Sequence, residues 1–187
     1  MTVLGVLVAP DSFKGTFTAV AVADAIGRGI QLAGMEPDLC PVADGGEGTM
    51  DVVLAALGGR VVEAPAHDPL GRELRAPFAL LGEDGASAVV ETAAASGLAL
   101  LAPDELDPWH ASTYGTGELI GAAVAAGARD VMVAVGGSAT VDGGRGGLAA
   151  IAERGGLGDA RIVVLSDVET PWEQCAEIYG PQKGADP

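Results

Sequence analysis

Thiols, imidazoles and lysines are all scarce in this chain. Cys40 and Cys175 are the only cysteines among 187 residues, far apart and without a CxxC spacing. They argue against a disulfide framework and against a Cys-rich zinc site, and they read as small thiols of a reducing cytosol. His67 and His110 are too few to make a metal cluster. Ten basic residues stand against 26 acidic ones, a net charge of −16. That balance opposes sequence-independent nucleic-acid binding and docking on an anionic membrane surface. No apolar stretch approaches the roughly 18 residues of a membrane span. The first residues lack the basic segment and cleavage pattern of a signal peptide. A cytoplasmic location is the expectation. No G-x-x-x-x-G-K-[ST] run occurs, so the P-loop route to nucleotide binding is excluded.

What the chain does have is glycine: 29 residues, about twice the ~7% of average usage. Half of the chain is hydrophobic and only 19% is charged, so disorder does not account for the glycines. Both lysines, Lys14 and Lys183, directly precede a glycine, in Asp11-Ser-Phe-Lys-Gly15 and Gly180-Pro-Gln-Lys-Gly184. Lysine offers a compact point charge suited to phosphate.

Residues 3–10 read as a buried strand, followed by a loop and a helix over 19–33 capped by Thr16 or Thr18, with Ala19, Ala23, Ile26 and Ile30 on one face. A short strand at 39–43, a glycine loop, and a helix with Met50, Val53, Leu54 and Leu57 on one face follow. This alternation predicts a parallel α/β sheet. Strands expected at 60–66, 72–81 and 86–92 are joined by turns too short for parallel crossovers, so they pair antiparallel. A second, α+β unit with a mixed sheet therefore begins near residue 60. Helices at 112–126, 147–154 and 171–178 alternate with strands at 130–135 and 161–165. Trp109 and Trp172 are expected as packing or loop anchors.

Four loops share one logic. Residues 11–15, 44–48, 136–144 and 166–167 each follow the end of an expected strand. Open α/β sheets bind ligands outside those ends, and glycines let the backbone approach a phosphate closely. Asp11, Asp44, Glu47, Asp142 and Asp167 are candidate bases or ligands of Mg²⁺, which would reconcile acidic loops with an anionic substrate. Each could instead cap a helix or close a turn, Asp142 above all because Gly143-Gly144 follow it.

Five segments, Ala9-Pro-Asp-Ser-Phe-Lys-Gly15, Pro41-Val-Ala-Asp-Gly-Gly-Glu-Gly-Thr49, Thr113-Tyr-Gly-Thr-Gly-Glu118, Gly136-Gly-Ser-Ala-Thr-Val-Asp-Gly-Gly144 and Gly180-Pro-Gln-Lys-Gly184, resemble in order the signatures of bacterial glycerate kinases. Glu91-Thr-Ala-Ala-Ala-Ser-Gly-Leu98 resembles that family more weakly. The resemblance implies two α/β domains, one flavodoxin-like with the second inserted in it. Residues 1–59 would be the N-terminal part of the first and 60–187 the second. Family members are longer, with extra residues after the helix that ends near Gly155-Gly156 and a continuation that completes the first domain. The incomplete parallel sheet left here would expose an edge that invites a homo-oligomer.

The activity implied is phosphoryl transfer from ATP, with Mg²⁺, to a hydroxyl of D-glycerate. Lys14 would hold a phosphate or the glycerate carboxylate. Gly45, Gly46, Gly137 and Ser138 would donate to anionic oxygens. Asp11, Ser12, Thr140 and Lys183 are further substrate or phosphate contacts. Asp44 or Asp167 would be the base or a Mg²⁺ ligand, with Asp142 a third metal candidate and Glu47 in support. The alternative is a non-catalytic relative that binds ligand or a partner subunit.

Overall fold

The computed structural model describes residues 5–186. Val3 and Leu4, expected in the first strand, lie outside the described residues. Strand β1 (Gly5–Val8) pairs in parallel with β2 (Glu36–Leu39), Gly5 opposite Glu36 and Val8 opposite Leu39. The strand expected at 39–43 thus begins three residues earlier. Its parallel hydrogen bonds continue from Cys40 N to Val8 O and from Val42 N to Pro10 O. Pro10 has no N–H to return a bond to Cys40 O, and the regular pairing stops at Val8 and Leu39. Between the two strands runs α1 (Ala19–Leu32), capped by the Thr18 hydroxyl, which accepts from Ala21 N at 3.2 Å. Ala19 and Ala23 are buried as expected, but Ile26 is largely exposed.

The rest of the chain builds one mixed sheet in sequence order: β3 (Gly59–His67), β4 (Glu73–Leu81), β5 (Ser87–Glu91), β6 (Asp130–Ala134) and β7 (Arg161–Leu165). β3–β4 and β4–β5 are antiparallel, and β5–β6 and β6–β7 are parallel. The short turns do force antiparallel pairing, and the connections that carry helices give the parallel steps. The mixed α/β architecture read from the sequence is therefore present, as a small parallel sheet and a five-stranded mixed sheet.

Alternation along β4 sends its side chains to two cores. Phe78 and Leu80 join Val90, Val131 and Leu119 on the face covered by α4 (Tyr114–Ala125). Ala79 and Leu81 join Val89 on the opposite face, where α2 (Thr49–Leu57) lays down Met50, Val53 and Leu54. So α2, the last element before residue 60, packs on the five-stranded sheet. The short helix α3 (Thr92–Ser96) follows β5, α5 (Arg145–Glu153) joins β6 to β7, and α6 (Trp172–Tyr179) follows β7. The apolar run of β7 is an edge strand among the described residues, with Val163 and Val164 exposed. Trp109 and Trp172 are also solvent-facing, at 91% and 79% exposure, so of the two roles expected, packing or loop anchor, neither fills the first. Among the described residues no helix is long and apolar enough to cross a membrane.

Candidate active site

Because β3, β5, β6 and β7 run the same way, their C-terminal ends share one edge of the five-stranded sheet. The loop after β2 is pressed against that edge. Gly136 N donates to Gly45 O at 3.0 Å. A Cβ on Gly45 would stand 2.9 Å from Leu165 O, and Gly45 holds φ +85°, a conformation that side chains disfavour. Glycine at 45 and 136 is what lets three loops, from β2, β6 and β7, meet backbone to backbone. The Ser96–Gly97 segment after α3 joins them: Leu98 N donates to Gly137 O and Ala139 N to Ser96 O, both at 2.9 Å.

Two clusters of charge stand on this platform. In the first, Lys14 Nζ donates to Asp44 Oδ2 at 2.9 Å, while Asp44 Oδ1 accepts from Gly46 N at 2.9 Å. The Lys14 bond holds the Asp44 carboxyl below its ordinary range, assisted by the Gly46 N–H against a modest cost of burial. Asp44 in turn raises the Lys14 ammonium, and the charges of Asp11 and Asp167 push the same way. Asp11, Asp44 and Asp167 thus all bear on the Lys14 ammonium, from three loops. Ser12 is half-buried and donates its N–H to Asp11 Oδ1 at 2.6 Å. Glu47 is exposed.

In the second cluster Lys183, from the turn Pro181–Lys183, reaches back into the 136–144 loop. Its Nζ donates to Ser138 Oγ at 2.9 Å and to Thr140 O at 2.6 Å. Burial lowers its pKa, opposed by the charge of Asp142. The Thr140 side chain is itself buried, so that residue presents its carbonyl to the lysine. Gly137, in the left-handed region at φ +72°, sits beside Ser138 at the mouth of this loop.

Asp142 has a different place. Its Oδ2 accepts from Thr113 N, Thr113 Oγ1 and Gly146 N, and its Oδ1 from Gly144 N, at 2.8–3.0 Å. Burial opposes its ionisation, but these four bonds prevail and lower its pKa. It caps α5, whose N-cap Gly144 has no side chain to do so, and it joins that helix to α4. The capping role named as its alternative therefore accounts for Asp142. Among the described residues no three His, Cys, Asp or Glu side chains gather into a metal cage, so Asp44, Asp142 and Asp167 do not form one. Mg²⁺ beside a nucleotide needs only one or two carboxylates, with phosphate oxygens and water completing its shell. Asp44 and Asp167 fit that requirement.

Sequence reasoning passed over Glu91. It ends β5, is 7% exposed, and accepts from Met50 N at 2.7 Å. The Glu91–Leu98 resemblance was its only signal. The Thr113–Glu118 segment turns out to be packing. Cβ atoms on Gly115 and Gly117 would come within 1.9 Å of His67 O and 2.2 Å of Gly147 O. Buried Glu118 accepts from His67 Nδ1 at 2.8 Å and Arg154 Nη2 at 2.9 Å.

Comparison with known proteins places this geometry in a family. The family model for the glycerate kinase family matches residues 6–156. A glycerate kinase of Bacillus subtilis is 39% identical over 96% of this chain, and the glycerate 2-kinase of Escherichia coli K12 is 37% identical over 96%. A crystal structure from Salmonella typhimurium LT2, provisionally assigned as glycerate kinase 2, superposes with a TM-score of 0.83 at 34% identity over 98% of this chain. The chain spans 56% of the length of the two sequence relatives and 58% of the solved chain. The Bacillus alignment runs to 213 positions, more than the 187 residues here, so that relative carries residues this chain lacks. The matched stretch holds the Asp44, Gly136 and Asp142 loops, and the chain belongs to the glycerate kinase family.

Proposed function

We propose that the chain transfers the γ-phosphoryl group of ATP to a hydroxyl of D-glycerate. The observation that carries this reading is the meeting of both lysines with glycine loops at one sheet edge: Lys14 on Asp44 beside the 44–48 loop, Lys183 on Ser138 in the 136–144 loop. Phosphoryl transfer asks a protein for positioning and charge neutralisation more than for covalent chemistry. Lys183, Ser138 and Gly137 form the phosphate end, where a partly desolvated ammonium and short-range donors act in a lowered dielectric. Lys14 orients the acceptor carboxylate or a phosphate oxygen. Gly45 and Gly46 keep the backbone close, with Asp11, Ser12 and Glu47 at the rim.

Asp44 is held ionised by Lys14, so it remains an anion at neutral pH, which suits a hydrogen-bond acceptor for the attacking hydroxyl or a Mg²⁺ ligand. Asp167, exposed on the neighbouring loop, takes the complementary role. Bound Mg²⁺ would neutralise charge on the transferring phosphoryl group. Asp142 supports the site by fixing the end of the 136–144 loop. In the same proposal residues 1–59 contribute the Lys14–Asp44 side of the site and residues 60–187 the phosphate side.

A coupled ADP-release assay tests the reading. ADP release that depends on D-glycerate supports it, and release indifferent to D-glycerate contradicts it. One observation favours a second reading, in which the chain binds ligand or a partner without turnover. Among the described residues, β7 presents exposed valines at a sheet edge.

A further inference from the structure

Helix α2 begins without a cap of its own. Its N-cap is Gly48 at φ +93°, with no side chain to accept the first-turn N–H groups. Thr49, the next residue able to do so, spends its hydroxyl on Gly46 O at 2.8 Å. The missing acceptor comes from another part of the fold. Glu91, at the end of β5, accepts from Met50 N at 2.7 Å, and the Gly48 N–H also stabilises its charge.

Among the described residues that carboxylate has no salt-bridge partner, and only backbone N–H groups lower its pKa. Across the sheet it faces Ala134 of β6. The charged groups that bear on it from the α2 side are two more acids, Glu47 and Asp51. A buried anion without a cation is costly, and a helix N-terminus is the partner that offsets it.

The consequence reaches the candidate site through a continuous set of bonds. Glu91 holds Met50; Thr49, next to it, holds Gly46 O; Gly46 N holds Asp44 Oδ1; and Asp44 Oδ2 holds Lys14. We propose that Glu91 is a positioning residue, which supplies from β5 the cap that α2 lacks and thereby fixes the Asp44 loop against the five-stranded sheet. Glu91 touches no reacting group; it acts through the backbone of residues 46–50. This rests on the reading of the 44–48 loop as part of the phosphoryl-transfer site.

The test uses the whole chain and two readouts. The first is the amide NMR spectrum of the wild type, titrated from neutral to mildly acid pH. Burial, acting first, and the neighbouring acids raise the Glu91 pKa above its ordinary 4.5, whereas Asp44 is lowered and titrates separately. The amides of Asp44, Gly46 and Met50 should move together with one midpoint above 4.5, and Glu91→Gln should abolish that shared transition. Movement of Met50 alone, or a shared transition that survives in Glu91→Gln, overturns the proposal.

The second readout is turnover with D-glycerate and ATP. Loss of a helix cap corresponds to about a tenfold effect, so Glu91→Ala should lower kcat about tenfold with KM little changed. Glu91→Gln, which keeps an acceptor oxygen, should recover most of that loss and flatten the acid side of the pH profile. A Glu91→Gln enzyme as slow as the alanine variant overturns the proposal. If the wild type shows no glycerate-dependent turnover, the functional reading fails while the titration still decides the role of Glu91. If Glu91→Ala does not fold, the wild-type titration and the glutamine variant decide it.

Discussion

Replacing Gly136 by alanine adds one methyl group where the loops of two sheets meet. The new Cβ would lie 2.6 Å from Gly46 Cα, 3.2 Å from Gly46 N and 3.4 Å from Gly45 O. All three atoms belong to backbone, so no flexible side-chain end can move aside. The loops must separate by about an ångström to reach ordinary carbon contact distances of about 3.5–4.0 Å. That separation stretches the 3.0 Å bond from Gly136 N to Gly45 O beyond use. Overpacking costs about 1–3 kcal/mol, and the lost hydrogen bond adds about 1 kcal/mol. Gly136→Ala should therefore lose about 2–4 kcal/mol of unfolding free energy, measured from the urea midpoint at constant slope. Gly29→Ala is the internal control. Gly29 is exposed in α1 with nothing within 4 Å of an added Cβ. The same methyl group there should stabilise the protein by about 0.5–1 kcal/mol, because alanine is the better helix former. A Gly136→Ala loss below about 0.5 kcal/mol, the range of ordinary surface changes, would refute the close loop contact.

Other positions give independent checks. Phe78→Ala empties a fully buried site in the main core and should cost about 3–5 kcal/mol in the same denaturation experiment. The folded-state pKa of Asp142 lies below its ordinary 3.8, so its contribution to stability is complete above that value and fades as pH falls through the lower folded value. Denaturation at pH below 3.8 should show that loss in the wild type, and Asp142→Ala should lower stability at neutral pH while removing its share of the acid dependence. Lys183→Ala breaks two bonds to the 136–144 loop and should weaken ATP binding, measured by calorimetry, by about tenfold or more, in line with about 1.5–3 kcal/mol for bonds to a charged group. Unchanged ATP affinity would remove Lys183 from the phosphate end.

Much of the fold is written in local pattern. The strand-loop-helix alternation of the first 57 residues and the tight turns at 68–71 and 83–85 dictate parallel and antiparallel steps through chain geometry alone, and the sheet obeys them. The contact of Lys14 with Asp44 joins two loops that follow the parallel strands β1 and β2, whose ends point one way. What escaped depends on contacts between distant segments. Glu91 reads as the polar end of a strand, and only the packing of α2 across β4 and β5 makes it that helix's cap. Asp142 carried a local capping signal, and Thr113, 29 residues away, completes its shell. The run Ile162-Val-Val-Leu165 reads as an apolar strand. Its exposure follows from its place at the edge of the described sheet, which composition does not record.

The loops at this sheet edge are proposed to carry a phosphoryl group from ATP to D-glycerate. Phosphorus NMR of a reaction mixture of the purified chain, MgATP and D-glycerate tests it most directly. A phosphomonoester resonance of phosphoglycerate should grow as ADP appears, and it should be lost in both Lys14→Ala and Asp44→Asn. A wild-type mixture that forms no phosphomonoester, or variants that form it at the wild-type rate, would contradict it.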